Sequence, residues 1–222
     1  MHLVLGLGNP GSRYTDTRHN VGFLVADVLA RRSMVSIDRE QSGALVAKTQ
    51  VAGAAAILAK PQKFMNLSGQ PGQALRDFYK ISLDHVIVIH DDVDLPFADV
   101  RVKVGGGHGG HNGLRDLIQV MGAGFVRVRV GVGRPPAGWD TADYVLGRWT
   151  TPESAELAAV VDRSAAAVEQ IVRDGVLGAM QAFNTTARAV TPREAGPARS
   201  PRSSAPTPQA GADSVGKPNP SS

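Results

Sequence analysis

The stretch Gly105 to Gly113 reads Gly-Gly-Gly-His-Gly-Gly-His-Asn-Gly. So many glycines are expensive to order, and the segment makes sense where a backbone must take positive φ or approach a ligand too closely for a Cβ. The only side chains on it, His108, His111 and Asn112, donate or accept hydrogen bonds. A second polar group, Asn9, Tyr14, His19 and Asn20, interrupts the apolar start of the chain, while Asn66 and Asp91 follow apolar runs further on. A histidine, a carboxylate and three carboxamides, with no cysteine and no Gly-x-Ser-x-Gly elbow, suit one kind of chemistry. A base activates water while amide donors hold a carbonyl.

Two other chemistries share these residues. His19, His90, Asp91, Asp92, His108 and His111 include enough ligands for zinc, but no His-Glu-x-x-His is present and the 108–111 pair runs through glycine instead of along a helix face. Gly6-Leu7-Gly8-Asn9-Pro10-Gly11 matches the dinucleotide-binding fingerprint. That motif needs a helix at its third glycine and an acid about 20 positions on; here the 14–20 segment is polar and unperiodic, and the nearest acid after an apolar stretch is Asp38.

The elements that must position these groups alternate along the chain. Strands are expected over 2–8, 44–51, 54–60, 85–89, 100–104 and 125–132, and helices over 21–30, 73–79, 114–121, 152–174 and 176–183, with Gly175 dividing the last two. Asn112 stands where the helix after the glycine loop begins, suited to capping it and to leaving backbone N–H groups for an anion or oxyanion. This interleaving predicts an α/β fold, with sites gathered at strand ends.

The 222 residues, 42% hydrophobic, suffice for one substantial core. The absence of cysteine excludes disulfides and thiolate chemistry. No charged leader or membrane-length apolar run is seen, so a soluble, cytoplasmic protein without membrane association is expected. The net charge of +4 is concentrated at the end: from Arg188 onward five cations face two acids, which leaves the body nearly neutral. Beyond Val190, Pro, Ser, Ala and Gly dominate, a composition expected to be disordered. On the body, Arg101 and Lys103 alternate along one strand and Arg127 and Arg129 along another, so each pair shares a face and together they offer a basic strip for phosphates.

Taken together, the segments 5–11, 17–22 with Tyr14, 60–69, 90–96 and 105–114 resemble bacterial-type peptidyl-tRNA hydrolase, collinearly over residues 1–187; the tail, 188–222, lies outside the resemblance. The resemblance implies a single domain with a mixed twisted sheet flanked by helices, acting as a monomer without metal or other cofactor. It implies cleavage of the ester between an N-blocked peptide and the 3′ ribose of tRNA. On this basis His19 is the general base, Asp91 its partner, and Asn9 the residue that selects N-blocked substrates. Tyr14, Phe64, Met65, Asn66, Asn112 and, less directly, His111 meet the substrate, and Lys103 and Arg129 hold tRNA phosphate. Asp92 departs from the Glu of many relatives and the 122–124 link looks short, neither touching a proposed catalytic group. A relative that kept RNA binding and lost hydrolysis is the alternative; an intact His19, Asp91 and Asn set argues against it.

Overall fold

The computed structural model describes residues 1–185; the expected disorder of the tail lies outside them, as does the proposed boundary at residue 187. The elements run β1 (His2–Gly6), α1 (Val21–Arg32), β2 (Arg39–Gln41), β3 (Ala44–Val51), β4 (Ala54–Pro61), α2 (Gly69–Phe78), β5 (Val86–Asp92), β6 (Val100–Val104), α3 (Asn112–Met121), β7 (Val126–Gly131), α4 (Thr141–Leu146) and α5 (Thr151–Asn184). One seven-stranded sheet has the order β2-β3-β4-β1-β5-β7-β6. Its centre, β4-β1-β5-β7, is parallel, and the antiparallel pairs β2/β3, β3/β4 and β6/β7 complete it on either side. The sheet is therefore mixed, as expected.

The central strands read as unbroken apolar runs because both faces are covered. Ile87 and Ile89 face one cluster with α1 and α5, while Val86 and Val88 face another with α2 and α3. Because side chains alternate along a strand, the same β5 sends Asp91 and His90 to opposite sides where the apolar run ends.

Two local outcomes differ from the sequence reading. Helix α2 starts at Gly69, four residues earlier than expected, although Gly69-Gln70-Pro71-Gly72 has the composition of a turn. Pro71 falls in the first turn, where a missing N–H breaks no helical hydrogen bond. The Asp116 carboxylate on α3 accepts the Gly69 N–H at 2.6 Å in place of a local cap. At the start of α3 the cap is His111, one residue before Asn112: its Nδ1 accepts from the N–H groups of Gly113 and Leu114. Those N–H groups are thus occupied by protein and are not left for an anion. In agreement with the sequence reading, no helix opens at Gly11; a 3-10 turn at Ser12–Tyr14 follows it and α1 waits until Val21, so the dinucleotide fingerprint lacks its helix.

Helix α5 breaks where Gly175 takes φ 79°, as the sequence predicts. Beyond the break, Asn184 hydrogen-bonds both the N–H and the C=O of Val102 at 2.8 Å, satisfying backbone on the edge strand β6.

Candidate active site

The candidate site opens where β1, β4 and β5 end side by side. Gly22, in the first turn of α1, lies so close to β1 and β5 that an added Cβ would run into the backbone of Leu7 and the carbonyl of Ile89. This close approach brings the preceding 3-10 turn, Arg18–Asn20, onto the end of β5. His19 is on that turn, 8% exposed, and its Nδ1 lies 2.8 Å from Asp91 Oδ1.

Asp91 Oδ1 also receives His111, through Nε2 at 3.1 Å. Hydrogen bonds fix the tautomer of this second ring: Nδ1 accepts two backbone N–H groups, so Nε2 carries the proton and donates to Asp91. The ionised carboxylate can only accept, so the neutral His19 ring donates its Nδ1–H to it and keeps the lone pair on Nε2. Burial disfavours the imidazolium of His19, but the charge and hydrogen bond of Asp91 outweigh it and raise its pKa above 6.5. Burial likewise opposes the Asp91 carboxylate, and the charges and hydrogen bonds of His19 and His111 overcome it, holding the carboxyl well below 3.8.

Behind His111, at 5.1 Å between ring centres, stands His90. Its Nδ1 donates to the Asp91 carbonyl at 2.7 Å, and full burial followed by the neighbouring His111 pushes its pKa down to about 3. A neutral His90 adds no charge to compete with His19 for Asp91. The ligand-type atoms of His19, Asp91 and His111 converge within 4.8 Å. A cation there would have to displace both N–H···O bonds, so the arrangement fits a hydrogen-bonded triad better than a metal centre.

Asn9 is held on all but one side. Its backbone N–H and C=O pair with the Asn20 carboxamide at 2.8 and 2.9 Å, and its Oδ1 accepts the Met65 N–H at 2.8 Å. That last bond orients the amide and leaves Nδ2 as the group presented to the cleft, where Asn9 is part of the wall. Phe64, Met65 and Asn66 continue the wall next to Asn9, with Phe64 and Asn66 exposed and Met65 buried. Tyr14 is set back from the cleft, edge-on to Phe64 at 6.4 Å. On α3, Asn112 Oδ1 accepts from Arg115, which again leaves an amide NH2 free.

The cleft, about 970 Å³, continues from the triad under the glycine loop to Lys103 and Arg129. Register places the four cations together, Arg101 opposite Arg129 and Lys103 opposite Arg127, on one face of β6 and β7. Their availability differs. Arg127 is 3% exposed and donates to the Gly106 and Gly107 carbonyls, anchoring the glycine loop; Arg101 pairs with Asp99. Arg129 pairs with Asp92 at 2.7 Å, so the departure at Asp92 bears on a phosphate candidate. Among the described residues, Lys103 alone of the four has neither an acidic partner nor a carbonyl that holds its side chain.

Thus His19, Asp91, Asn9, Phe64, Met65, Asn66, Lys103, Asn112 and Arg129 all line one cleft, and Tyr14 meets it through its edge-on contact with Phe64. His111 lines it too, but both its ring nitrogens are engaged by protein, making it a support for Asp91. Sequence reasoning missed that role, the anchoring by Arg127 and the proximity of Arg115. The spacing of His111 from the helix start offered a sign of the cap, but nothing local pointed to Asp91.

A sequence model of the family described as peptidyl-tRNA hydrolase matches residues 3–191. The chain belongs to the peptidyl-tRNA hydrolase family. Relatives bearing that family's name include one from Renibacterium salmoninarum, 50% identical over 186 residues that cover 82% of this chain and 96% of that protein, and one from Frankia alni, 50% identical over 175 residues covering 78% and 89%. The fold is also similar to the crystal structure of peptidyl-tRNA hydrolase from Acinetobacter baumannii, with a TM-score of 0.79 and 34% identity over 83% of this chain and 95% of that one. Family membership accounts for the collinear motifs; the sheet layout and triad account for their spacing.

Proposed function

We propose that the chain hydrolyses the ester between the C-terminal carbonyl of an N-blocked peptide and the 3′ ribose of tRNA, without a metal. The observation that carries the mechanism is the His19–Asp91–His111 arrangement, which leaves one basic nitrogen, His19 Nε2, toward the cleft. Nε2 takes a proton from water as the oxygen attacks the ester carbon. The resulting imidazolium is stabilised by Asp91 and returns the proton to the ribose oxygen as the carbon–oxygen bond breaks. Asn66 and the free amide of Asn112 supply neutral donors for the carbonyl or the 3′ end.

Asn9 accounts for substrate selection. Its presented NH2 can donate to a peptide carbonyl, whereas the α-ammonium of an unblocked aminoacyl group has only donors and finds no acceptor there. Lys103 and Arg129 extend the cleft toward tRNA phosphate. All proposed groups come from one chain, which supports action as a monomer. Among the described residues no helix is long and apolar enough to cross a membrane, and a tRNA substrate supports a cytoplasmic location. An RNA binder without hydrolysis has no use for a base held so specifically on a carboxylate.

The test is to compare an N-acetyl-aminoacyl-tRNA with the same tRNA unblocked, in excess EDTA. Rapid release from the first and little from the second is expected, with no effect of chelation. Loss of activity in EDTA with rescue by zinc would contradict the metal-free mechanism.

A further inference from the structure

Beside the base lies a buried guanidinium that the mechanism does not use. Arg18 precedes His19 on the same turn and is 5% exposed. Its Nε and Nη2 donate to the two carboxylate oxygens of Glu153 at 3.3 and 2.6 Å, and its Nη1 donates to the carbonyls of Tyr144 and Arg148 at 3.3 and 2.8 Å. The guanidinium lies 4.3 Å from the centre of the Tyr144 ring. The Arg18 N–H donates to the Gly147 carbonyl at 3.2 Å, and Thr17 forms a β-bridge with Arg148. The segment joining α4 to α5 therefore grips the turn by both backbone and side chain.

Glu153 is itself fixed. It completes a capping box at the start of α5, accepting the Thr150 N–H at 2.7 Å. Burial opposes its carboxylate form, but the Thr150 N–H and Arg18 together hold its pKa below the ordinary 4.5. On the other side, α4 sends Thr141, Ala142, Val145 and Leu146 to the cleft wall. One guanidinium thus touches the helix that walls the cleft, the cap of the long helix and the turn bearing the base.

We propose that Arg18 is a positioning residue that keeps the His19 ring on Asp91 by bolting its turn to the α4–α5 junction. The proposal rests on the reading of His19 as the base. The site calls for a planar fork of donors, because carboxylate and carbonyls lie along different edges of the group and an aromatic ring covers its face. A lysine brings three donors at one point and cannot span these partners.

Arg18→Lys and Glu153→Gln test this, the second because Gln preserves the capping box while removing the charge that holds Arg18. Each is compared with wild type for kcat and KM on N-acetyl-aminoacyl-tRNA, for the pH dependence of kcat/KM, and for the titration of the His19 ring nitrogens by NMR in the free protein. We expect kcat to fall by about 10- to 10²-fold while KM changes by less than about threefold, as for a misplaced catalytic group. The acid limb of the profile and the His19 titration should both move to lower pH, because a ring that leaves Asp91 loses what raised its pKa and keeps its burial. Reduced thermal stability with wild-type kcat, acid limb and His19 titration would overturn the proposal and leave Arg18 a structural residue. Should Arg18→Lys fail to fold, Glu153→Gln decides by the same readouts. If wild type itself releases no peptide, the functional reading fails, while the His19 titration in the variants still decides whether Arg18 holds the ring.

Discussion

At the scale of single residues, the chemistry turns on one oxygen, Asp91 Oδ1, which receives His19 and His111 together. Asp91→Asn keeps the shape and removes the charge. Burial then dominates at His19, so the acid limb of kcat/KM should move to lower pH, with kcat falling toward the low end of the about 10²- to 10⁴-fold span of general-base catalysis. An unmoved limb would break the pairing. Stability carries the same sign logic. His19, with its pKa raised above 6.5, contributes fully below 6.5 and loses its contribution as pH rises through the raised value. Asp91, held well below 3.8, contributes above 3.8 and loses its contribution only as pH falls through the depressed value. The stability lost in His19→Ala, measured by denaturant unfolding, should therefore be greatest between these two values and shrink toward alkaline pH; a difference that grows there contradicts the account. Asn9, His19, Asn66 and Asp91 were legible in the sequence because each follows the end of an apolar run or leads into one. The support that His111 gives Asp91 and the contacts of Arg18 were not, because the decisive partners lie 20 and 135 residues away and no local period encodes such pairings. Asn112 looked like the better cap by residue type, but His111 already had its Nδ1 beneath the two N–H groups.

At the scale of elements, the site depends on α1 starting hard against the ends of β1 and β5. Gly22→Ala puts a methyl group into the Leu7 backbone and the Ile89 carbonyl, with no flexible side chain to move aside. Such overpacking should destabilise the fold by about 1 to 3 kcal/mol, read as a lowered denaturant midpoint. Activity should fall as well, since the displaced turn carries His19. A wild-type midpoint would show that the packing is looser than the geometry indicates. Most elements were readable from periodicity: the buried strands from continuous apolar runs, the β3–β4 hairpin from its glycine, and the break in α5 from Gly175. The start of α2 was not, because its glycines and proline have turn composition; Gly72 is small for close packing on Leu5, Leu117 and Met121, and the cap comes from α3. Strand order was also beyond local reading, since β1 inserts between β4 and β5, neither its neighbour in the chain, and β7 inserts between the consecutive strands β5 and β6.

At the scale of the whole molecule, a nearly neutral body must meet a polyanion, so placement matters more than total charge. Lys103 has no acidic partner among the described residues, and Arg129 would exchange Asp92 for phosphate. The double variant Lys103→Ala, Arg129→Ala should weaken binding of full-length tRNA and flatten the dependence of log affinity on log salt by about 0.7 to 0.9 for each phosphate that the protein no longer neutralises. A minimal substrate with only the peptide and terminal adenosine should be little affected, because the triad is untouched. An unchanged salt slope would mean that tRNA is gripped elsewhere. The central claim, that His19 is the base which makes this cleft a hydrolase, is tested most directly by His19→Ala. The purified, folded variant should bind tRNA as wild type does while its single-turnover rate on N-acetyl-aminoacyl-tRNA falls by about 10²- to 10⁴-fold. A folded variant that kept more than about a tenth of the wild-type rate, well outside that span, would contradict the account.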